Sequence, residues 1–262
     1  MSDRCVLWDL DARGVATVTL NRPQVNNAYD EALIAGLLEA MDALGEAAGL
    51  RAVVLRGEGR HFQAGADLKW IRTVASQSPQ ANEHASRATA RAVHRLNTLP
   101  VPTVALVQGG CFGGGTGIVA ACDVVIAAED AQFSIAETRW GLMAGIILPQ
   151  LADAIGARQV RRYALTGERF GALEAMRIGL VHEVVPSAEL AAAGARIVDL
   201  LLQNAPEANA QTKALALEFA WGAVDEPTFE RLVAQHAAKR RSAEAAEGLA
   251  SFAEKRPGRW RP

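Results

Sequence analysis

Gly113, Gly114 and Gly115 follow an apolar strand-like run, Thr103 to Val107, and lead directly into the small apolar segment Ile118 to Ala121. Three residues without Cβ let the chain turn sharply and let another group come against the main chain, while the first amides of the following helix have no partner within it. Amides so placed stabilise an oxyanion. A second segment has the same logic. Val53 to Leu55 reads as a buried strand, followed by His61-Phe62-Gln63-Ala64-Gly65-Ala66-Asp67-Leu68, in which Asp67 is placed to cap a helix starting at Leu68. Two such turns supply two donors, the amides of Ala66 and Gly114, each worth about 3 kcal/mol of barrier when charge develops on the oxygen between them.

Strands and helices that could carry these turns alternate along the chain. A strand pair, Cys5 to Leu10 and Val15 to Leu20, precedes a helix from about Asp30 to Glu46. Val53 to Leu55, Thr103 to Val107, Asp123 to Ala127 and Gln132 to Ile135 are β-like, and Ala81 to Leu96 is helical up to the break Pro100-Val101-Pro102. This pattern predicts an α/β core. Ser76-Gln77-Ser78-Pro79-Gln80 is polar and reads as a mobile surface loop beside the first turn, placed to lie over a bound chain. From Pro186 onwards the sequence turns alanine-rich and helical, over Ala188 to Leu202, Pro206 to Trp221, Pro227 to Arg240 and Ala243 to Phe252. The predicted division is residues 1–186 as the core and 187–262 as a helical region.

With 262 residues, 50% of them hydrophobic, and a formal charge of -2, the composition is that of an ordinary globular chain. Basic residues are mixed with acids, so Arg158, Arg161 and Arg162, and likewise Lys239 to Arg241, read as solvated helix surface, and no nucleic-acid partner is expected. No basic-then-apolar leader and no apolar run of spanning length is found, which predicts a cytoplasmic protein with no membrane partner. Cys5, Cys111 and Cys122 are widely separated and read as free thiols, with Cys111 a small buried residue rather than a nucleophile. The five histidines have no ligand spacing, so no metal site is expected.

Seven motifs in order give the chain its resemblance to a known family. They are Leu20-Asn21-Arg22-Pro23 with Asn27-Ala28, Ala64-Gly65-Ala66-Asp67-Leu68, Gly113-Gly114-Gly115 with Ala121-Cys122-Asp123, Phe133 to Gly141, Thr166-Gly167-Glu168-Arg169-Phe170, Gly179-Leu180-Val181, and Phe252-Ala253-Glu254-Lys255-Arg256-Pro257 with Trp260. Together they resemble the enoyl-CoA hydratase/isomerase (crotonase) superfamily nearly end to end. The resemblance implies the crotonase (ClpP-like) spiral of repeated ββα turns, with a C-terminal helical region that packs across subunits into a homotrimer or homohexamer. It also implies an acyl-CoA thioester substrate, whose carbonyl oxygen lies between the amides of Ala66 and Gly114, and no cofactor beyond the coenzyme A of the substrate.

Hydratases of that family carry two glutamates, and one falls here on Glu137. A carboxylate shielded beside an acyl chain has its pKa raised toward neutrality, which suits proton exchange with water or an α-carbon. The other position is Gly117, which leaves volume for a branched or carboxylated acyl group. Within the family, Glu137-Thr138-Arg139-Trp140-Gly141-Leu142 with Ile146-Ile147-Leu148-Pro149 looks closest to hydratases of 3-methylglutaconyl-CoA and isohexenylglutaconyl-CoA. The expected activity is therefore hydration of a branched glutaconyl-type enoyl-CoA by Glu137 alone. The alternatives are a Δ3,Δ2-enoyl-CoA isomerase using the same glutamate and an inactive acyl-CoA-binding subunit. Arg139 is the candidate cation for a second substrate carboxylate, and Phe112, Trp140 and Met143 are candidate pocket walls. Ala28 and Ala64 to Leu68, including Asp67, are expected to line the coenzyme channel, with Lys255 approaching the phosphates from its own or a neighbouring subunit. Asp67 reads as a helix cap and Asp123 as a hydrogen-bonded strand-entry residue rather than as acids.

Overall fold

The computed structural model describes residues 4–204, 206–221 and 225–256. Pro257 and Trp260 of the tail motif lie outside the described residues. The strands are β1 (Val6–Leu10), β2 (Val15–Leu20), β3 (Ala52–Gly57), β4 (Thr103–Val107), β5 (Gly110–Phe112), β6 (Val124–Ala128), β7 (Gln132–Ser134), β8 (Phe170–Gly171) and β9 (Glu183–Val185). The helices are α1 (Glu31–Gly45), α2 (Leu68–Ala75), α3 (Pro79–Asn97), α4 (Gly114–Ala120), α5 (Leu148–Thr166), α6 (Ala172–Arg177), α7 (Leu190–Leu202), α8 (Pro206–Trp221), α9 (Glu226–Arg240) and α10 (Ala243–Ala253).

A six-stranded sheet in the order β1-β2-β3-β4-β6-β9 is antiparallel only at β1–β2 and parallel from β2 onward. Parallel strands covered on both faces need apolar residues at every position, and β4, Thr-Val-Ala-Leu-Val, is buried throughout. A small second sheet, β5-β7-β8, runs beside the first, and Gln63 joins it through an isolated bridge to Cys111. The chain therefore repeats one step three times: β3, the Gln63 bridge and α2; β4, β5 and α4; β6, β7 and α5. This is the expected spiral of ββα turns. Each repeat places a strand end and a helix start on the same side of the molecule, which stacks the Ala64–Asp67 turn on the Phe112–Gly114 turn.

Local signals fix the helix starts. Asp30 caps α1 by accepting from the Leu33 amide, Asp67 caps α2 by accepting from Lys69 and Trp70, and Ser78 caps α3 with Pro79 in its first turn. That last cap overturns one expectation. Pro79 and Gln80 are already helical, so the polar stretch is a short connector between two helices rather than a mobile loop, and none of its residues lines the pocket described below.

The C-terminal region turns back on its own core. Buried Val233 and partly buried Phe229 of α9 join the main core, and α9 packs along α3. In α10, Ala245 and Leu249 pack with Ile71 and Leu142 over the 3-10 turn Glu137–Trp140. Leu215, by contrast, is exposed on α8. The basic run Lys239 to Arg241 also departs from its sequence reading. Arg240 is 2% exposed because α9 lays its last turn against α3.

Candidate active site

The first turn is held by groups that satisfy every amide but one. Buried Gln63 accepts from the Gly65 amide through its side-chain oxygen at 2.8 Å. The Tyr29 amide donates to Gly65 O at 2.9 Å, and the Asp67 amide donates to Tyr29 O at 2.8 Å. Ala66 lies between those two bonds, and its own amide has no partner among the described residues. Asn27, fully buried, ties the preceding strand end in place by donating to the carbonyls of Glu58, His61 and Phe62.

The second turn leaves the matching vacancy. The Gly113 amide donates to Ser134 O at 2.8 Å, and Gly113 O accepts from the Thr116 amide and hydroxyl. Gly114 then opens α4, so its amide is one of those with no partner inside the helix. Glycine is required twice here. Gly113 has φ 52° and ψ -124°, and a Cβ on Gly65 (φ 88°) would stand 3.2 Å from Phe112 O. This close passage of the two turns brings Ala66 and Gly114 into the lining of one pocket.

Glu137 stands directly against this passage, because a Cβ on Gly113 would lie 3.2 Å from Glu137 Oε1. Part of the residue is exposed, but Oε2 is buried and has no hydrogen-bond partner. Burial pushes its carboxyl up to about 7. Tyr29 completes the centre. A Cβ on Gly114 would be 2.6 Å from its ring and 3.3 Å from its hydroxyl, and burial, reinforced by the charge of Glu137, pushes the phenol up to about 12. Near neutral pH the site thus pairs a carboxyl that exchanges its proton with a phenol that keeps its own.

These groups face a cavity of about 500 Å³. Of the residues expected from sequence, Ala28, Ala64, Ala66, Asp67, Leu68, Phe112, Gly114, Glu137, Arg139, Trp140 and Met143 all line it. Trp140 is fixed edge-on to Phe252 of α10. Arg139 is exposed, with its side chain passing close to Gly167. Lys255 is exposed on the tail and does not line the cavity.

Gly117 corrects an expectation. It is buried and lines no part of the cavity, because Ile147 fills the place where its side chain would be: a Cβ there would stand 2.3 Å from Ile147 Cγ2. The missing carboxylate is thus replaced by aliphatic packing, not by open volume.

The other acids and thiols behave as their sequence setting suggests. Asp67 is the α2 cap, and Asp123 accepts from the Thr103 amide and hydroxyl and from Lys213 Nζ at 2.8 Å. The three cysteines are free, and burial holds the Cys111 thiol well above its usual range, which makes it a poor nucleophile. Among the described residues no cluster of three or more His, Cys, Asp or Glu is arranged to hold a metal ion, and no helix is long and apolar enough to cross a membrane.

Among the lining residues not singled out from the sequence are three with chemistry to offer, Tyr29, His236 and Arg240. Tyr29 directly follows the Asn27-Ala28 motif, and that adjacency was its only signal. Arg240 falls at helical spacing from Phe229, Val233 and His236, so a phase reading of α9 would have placed it on the inward face.

Comparison with known proteins agrees with this geometry. Residues 11–262 match the sequence model of the enoyl-CoA hydratase/isomerase family. An enoyl-CoA hydratase from Shewanella pealeana of known structure superposes with a TM-score of 0.80 at 34% identity, covering 98% of this chain and 96% of that one. Pseudomonas aeruginosa AtuE gives a TM-score of 0.80 at 36% identity, over 98% and 99% of the two chains. The 2,3-dehydroadipyl-CoA hydratase of Escherichia coli is 32% identical over 92% of this chain and 93% of its own. With two unpartnered amides and a carboxyl raised by burial lining one cavity inside a crotonase fold, the chain belongs to the enoyl-CoA hydratase/isomerase family and is an enzyme of the crotonase superfamily.

Proposed function

We propose that the enzyme hydrates a branched, glutaconyl-type enoyl-CoA, with Glu137 as its one proton-transfer residue. The observation that carries this reading is the Glu137 carboxyl, its buried Oε2 without a partner and its pKa held near 7, beside the two free amides. The thioester oxygen accepts from the amides of Ala66 and Gly114, which draws electron density from the double bond toward the carbonyl. Glu137, ionised, takes a proton from water as the water oxygen bonds to C3, and negative charge collects on the thioester oxygen as an enolate. The protonated Glu137 then gives that proton to C2, the enolate collapses, and the carboxylate is restored. One water is added, its hydroxyl to C3 and its proton to C2. Tyr29 stays protonated throughout and stands at Gly114 as a neutral donor. The coenzyme A belongs to the substrate, and no separate cofactor enters the scheme. The name of the Escherichia coli relative supports an acyl group of dicarboxylic type.

Packing of Ile147 against Gly117 favours a second reading, isomerisation of a 3-enoyl-CoA, since one carboxylate suffices to move a proton between C4 and C2. Incubation with linear 2- and 3-enoyl-CoAs and with 3-methylglutaconyl-CoA in oxygen-18 water separates the two. Hydration incorporates labelled oxygen and adds the mass of one water. A migrated double bond without a mass change replaces hydration with isomerisation, and Glu137→Gln retaining near-wild-type turnover removes both.

The proposed assembly is a homotrimer or homohexamer, supported by the exposed Leu165, Leu173 and Met176, and light scattering in solution tests it. Arg139, Arg169 at the cavity wall and Lys255 on the tail are the proposed contacts for the coenzyme phosphates and the polar parts of the substrate.

A further inference from the structure

Apolar residues of α1 and α3 wall the deep part of the cavity, among them Leu33, Leu37 and Val93, yet α9 places Arg240 and His236 in the same lining. Arg240 is 2% exposed. Its Nη2 donates to Asn82 O at 2.9 Å and to the Ser86 hydroxyl, whereas Nε and Nη1 have no partner. Among the described residues no carboxylate pairs with it. The ring of Trp70, 5.7 Å from the guanidinium carbon, and the C-terminal end of α9 ease the charge but offer Nε and Nη1 no acceptor. A guanidinium with unpartnered N–H groups in an apolar lining is unfavourable unless an acceptor arrives there.

His236 sharpens the point. The Ser86 hydroxyl, which accepts from Arg240, also lies 3.0 Å from His236 Nδ1 and so ties the imidazole to the guanidinium. Burial, and the charge of Arg240 after it, hold the imidazole neutral, down to about 3. The cavity lining therefore holds a buried guanidinium whose Nε and Nη1 have no acceptor. Nε and Nη1 lie on opposite edges of the guanidinium, the Nη2 between them being taken by Asn82 and Ser86, so each is left to donate singly to a carboxylate oxygen.

We propose that Arg240, assisted by His236, binds a second carboxylate carried on the acyl group away from the thioester, so that the substrate class is a dicarboxylic acyl-CoA. This rests on the cavity being the acyl-CoA site and is independent of whether the reaction is hydration or isomerisation. The hydrogen-bond donors come from the cavity wall, and the carboxylate supplies the acceptors and the countercharge that the wall lacks.

The test uses saturated ligands, which can be neither hydrated nor isomerised. Binding of dicarboxylic acyl-CoAs of four to eight carbons is measured by calorimetry on the full-length wild-type protein, each beside an isostere in which isopropyl replaces the distal carboxylate. At the best-fitting length the dicarboxylic ligand is expected to bind at least about 30-fold tighter, as one hydrogen bond to a charged group allows. Arg240→Gln should collapse that ratio to within about threefold, and Arg240→Lys should keep part of it; circular dichroism checks that each variant is folded. Equal or tighter binding of the isopropyl ligand at every length overturns the proposal using wild type alone, and a ratio unchanged in Arg240→Gln overturns the assignment to Arg240. A retained ratio in a protein that hydrates no enoyl-CoA would defeat the hydratase reading and leave this one standing.

Discussion

Replacing Glu137 by Gln should stabilise the protein, and only above about pH 5. The Glu137 carboxyl rises from an ordinary 4.5 to about 7, first because of burial. At about 1.4 kcal/mol per pKa unit, keeping it ionised in the folded protein costs about 3 kcal/mol. The sign follows from proton counting. Between 4.5 and 7 the folded protein holds a proton at this position that the unfolded chain has released, so stability from this group is complete below 4.5 and is lost as pH rises through 7. Glutamine matches the protonated form in shape and never ionises. Against wild type, Glu137→Gln should therefore show little difference near pH 4, a gain of about 1.4 kcal/mol at pH 5.5 and the full gain of about 3 kcal/mol by pH 8.5. Urea unfolding followed by circular dichroism across this range measures the difference directly, and by heat the alkaline gain corresponds to a Tm higher by at least about 6 °C for a chain of this size. A stability difference that does not change between pH 5.5 and 8.5 would show that the carboxyl is solvated as an ordinary glutamate, and the account of it as a poised proton carrier would fail with it.

The same group sets the pH profile: kcat/KM should rise about tenfold per pH unit below 7 and level off above it, and Glu137→Gln should lower it by at least about 100-fold, both read from initial rates across pH 5 to 9. Gly117→Ala forces a Cβ to within 2.3 Å of Ile147 Cγ2 and should cost about 1–3 kcal/mol by urea unfolding. Ile147→Ala in the same chain should be less damaging than the two single changes added together, and strict additivity would mean that the two residues do not share that space. Lys213 is buried and binds Asp123 at 2.8 Å, so Lys213→Met should lose about 3 kcal/mol of stability while leaving kcat within about twofold. A large loss of kcat in that variant would return Asp123 to the list of reacting acids.

Legibility in the sequence followed distance along the chain. The glycine turns, the Asp67 cap and the apolar strand β4 are each written in fewer than about ten neighbouring residues, and the structure has them where the sequence placed them. Strands β5 and β8 have three residues and two, too few for any periodicity to show. The Ser76–Gln80 stretch was misread although its cap and proline are local, but the other misreadings depended on a partner far away. Gly117 reads as free space until Ile147 is packed on it, and Arg240 reads as solvated until its helix lies on α3, where its hydrogen bond to Asn82 spans 158 residues. Tyr29 reaches Gly114 only because its backbone pairs with Ala66 in the first turn. Position 137 needed no distant information beyond the motif itself, but its raised pKa came from burial that the sequence only implied.

Two of the misread positions, Gly117 and Arg240, bear on the same charge balance. A substrate with a second carboxylate brings an extra negative charge into a cavity that already needs Glu137 ionised at the moment of reaction. A further glutamate at 117 would add another, and two like charges about 6 Å apart repel by about 3 kcal/mol at an effective dielectric near 20. Aliphatic packing of Ile147 on Gly117 removes that charge, and the unpaired Arg240 supplies a positive one in the same lining. A neutral acyl chain would gain nothing from either feature: it would leave the guanidinium without an acceptor and would have tolerated a second carboxylate. On this reasoning the loss of one glutamate and the burial of one arginine are a single adaptation. Combining Gly117→Glu with Ile147→Ala in one chain should therefore weaken binding of a dicarboxylic acyl-CoA far more than binding of its isopropyl isostere.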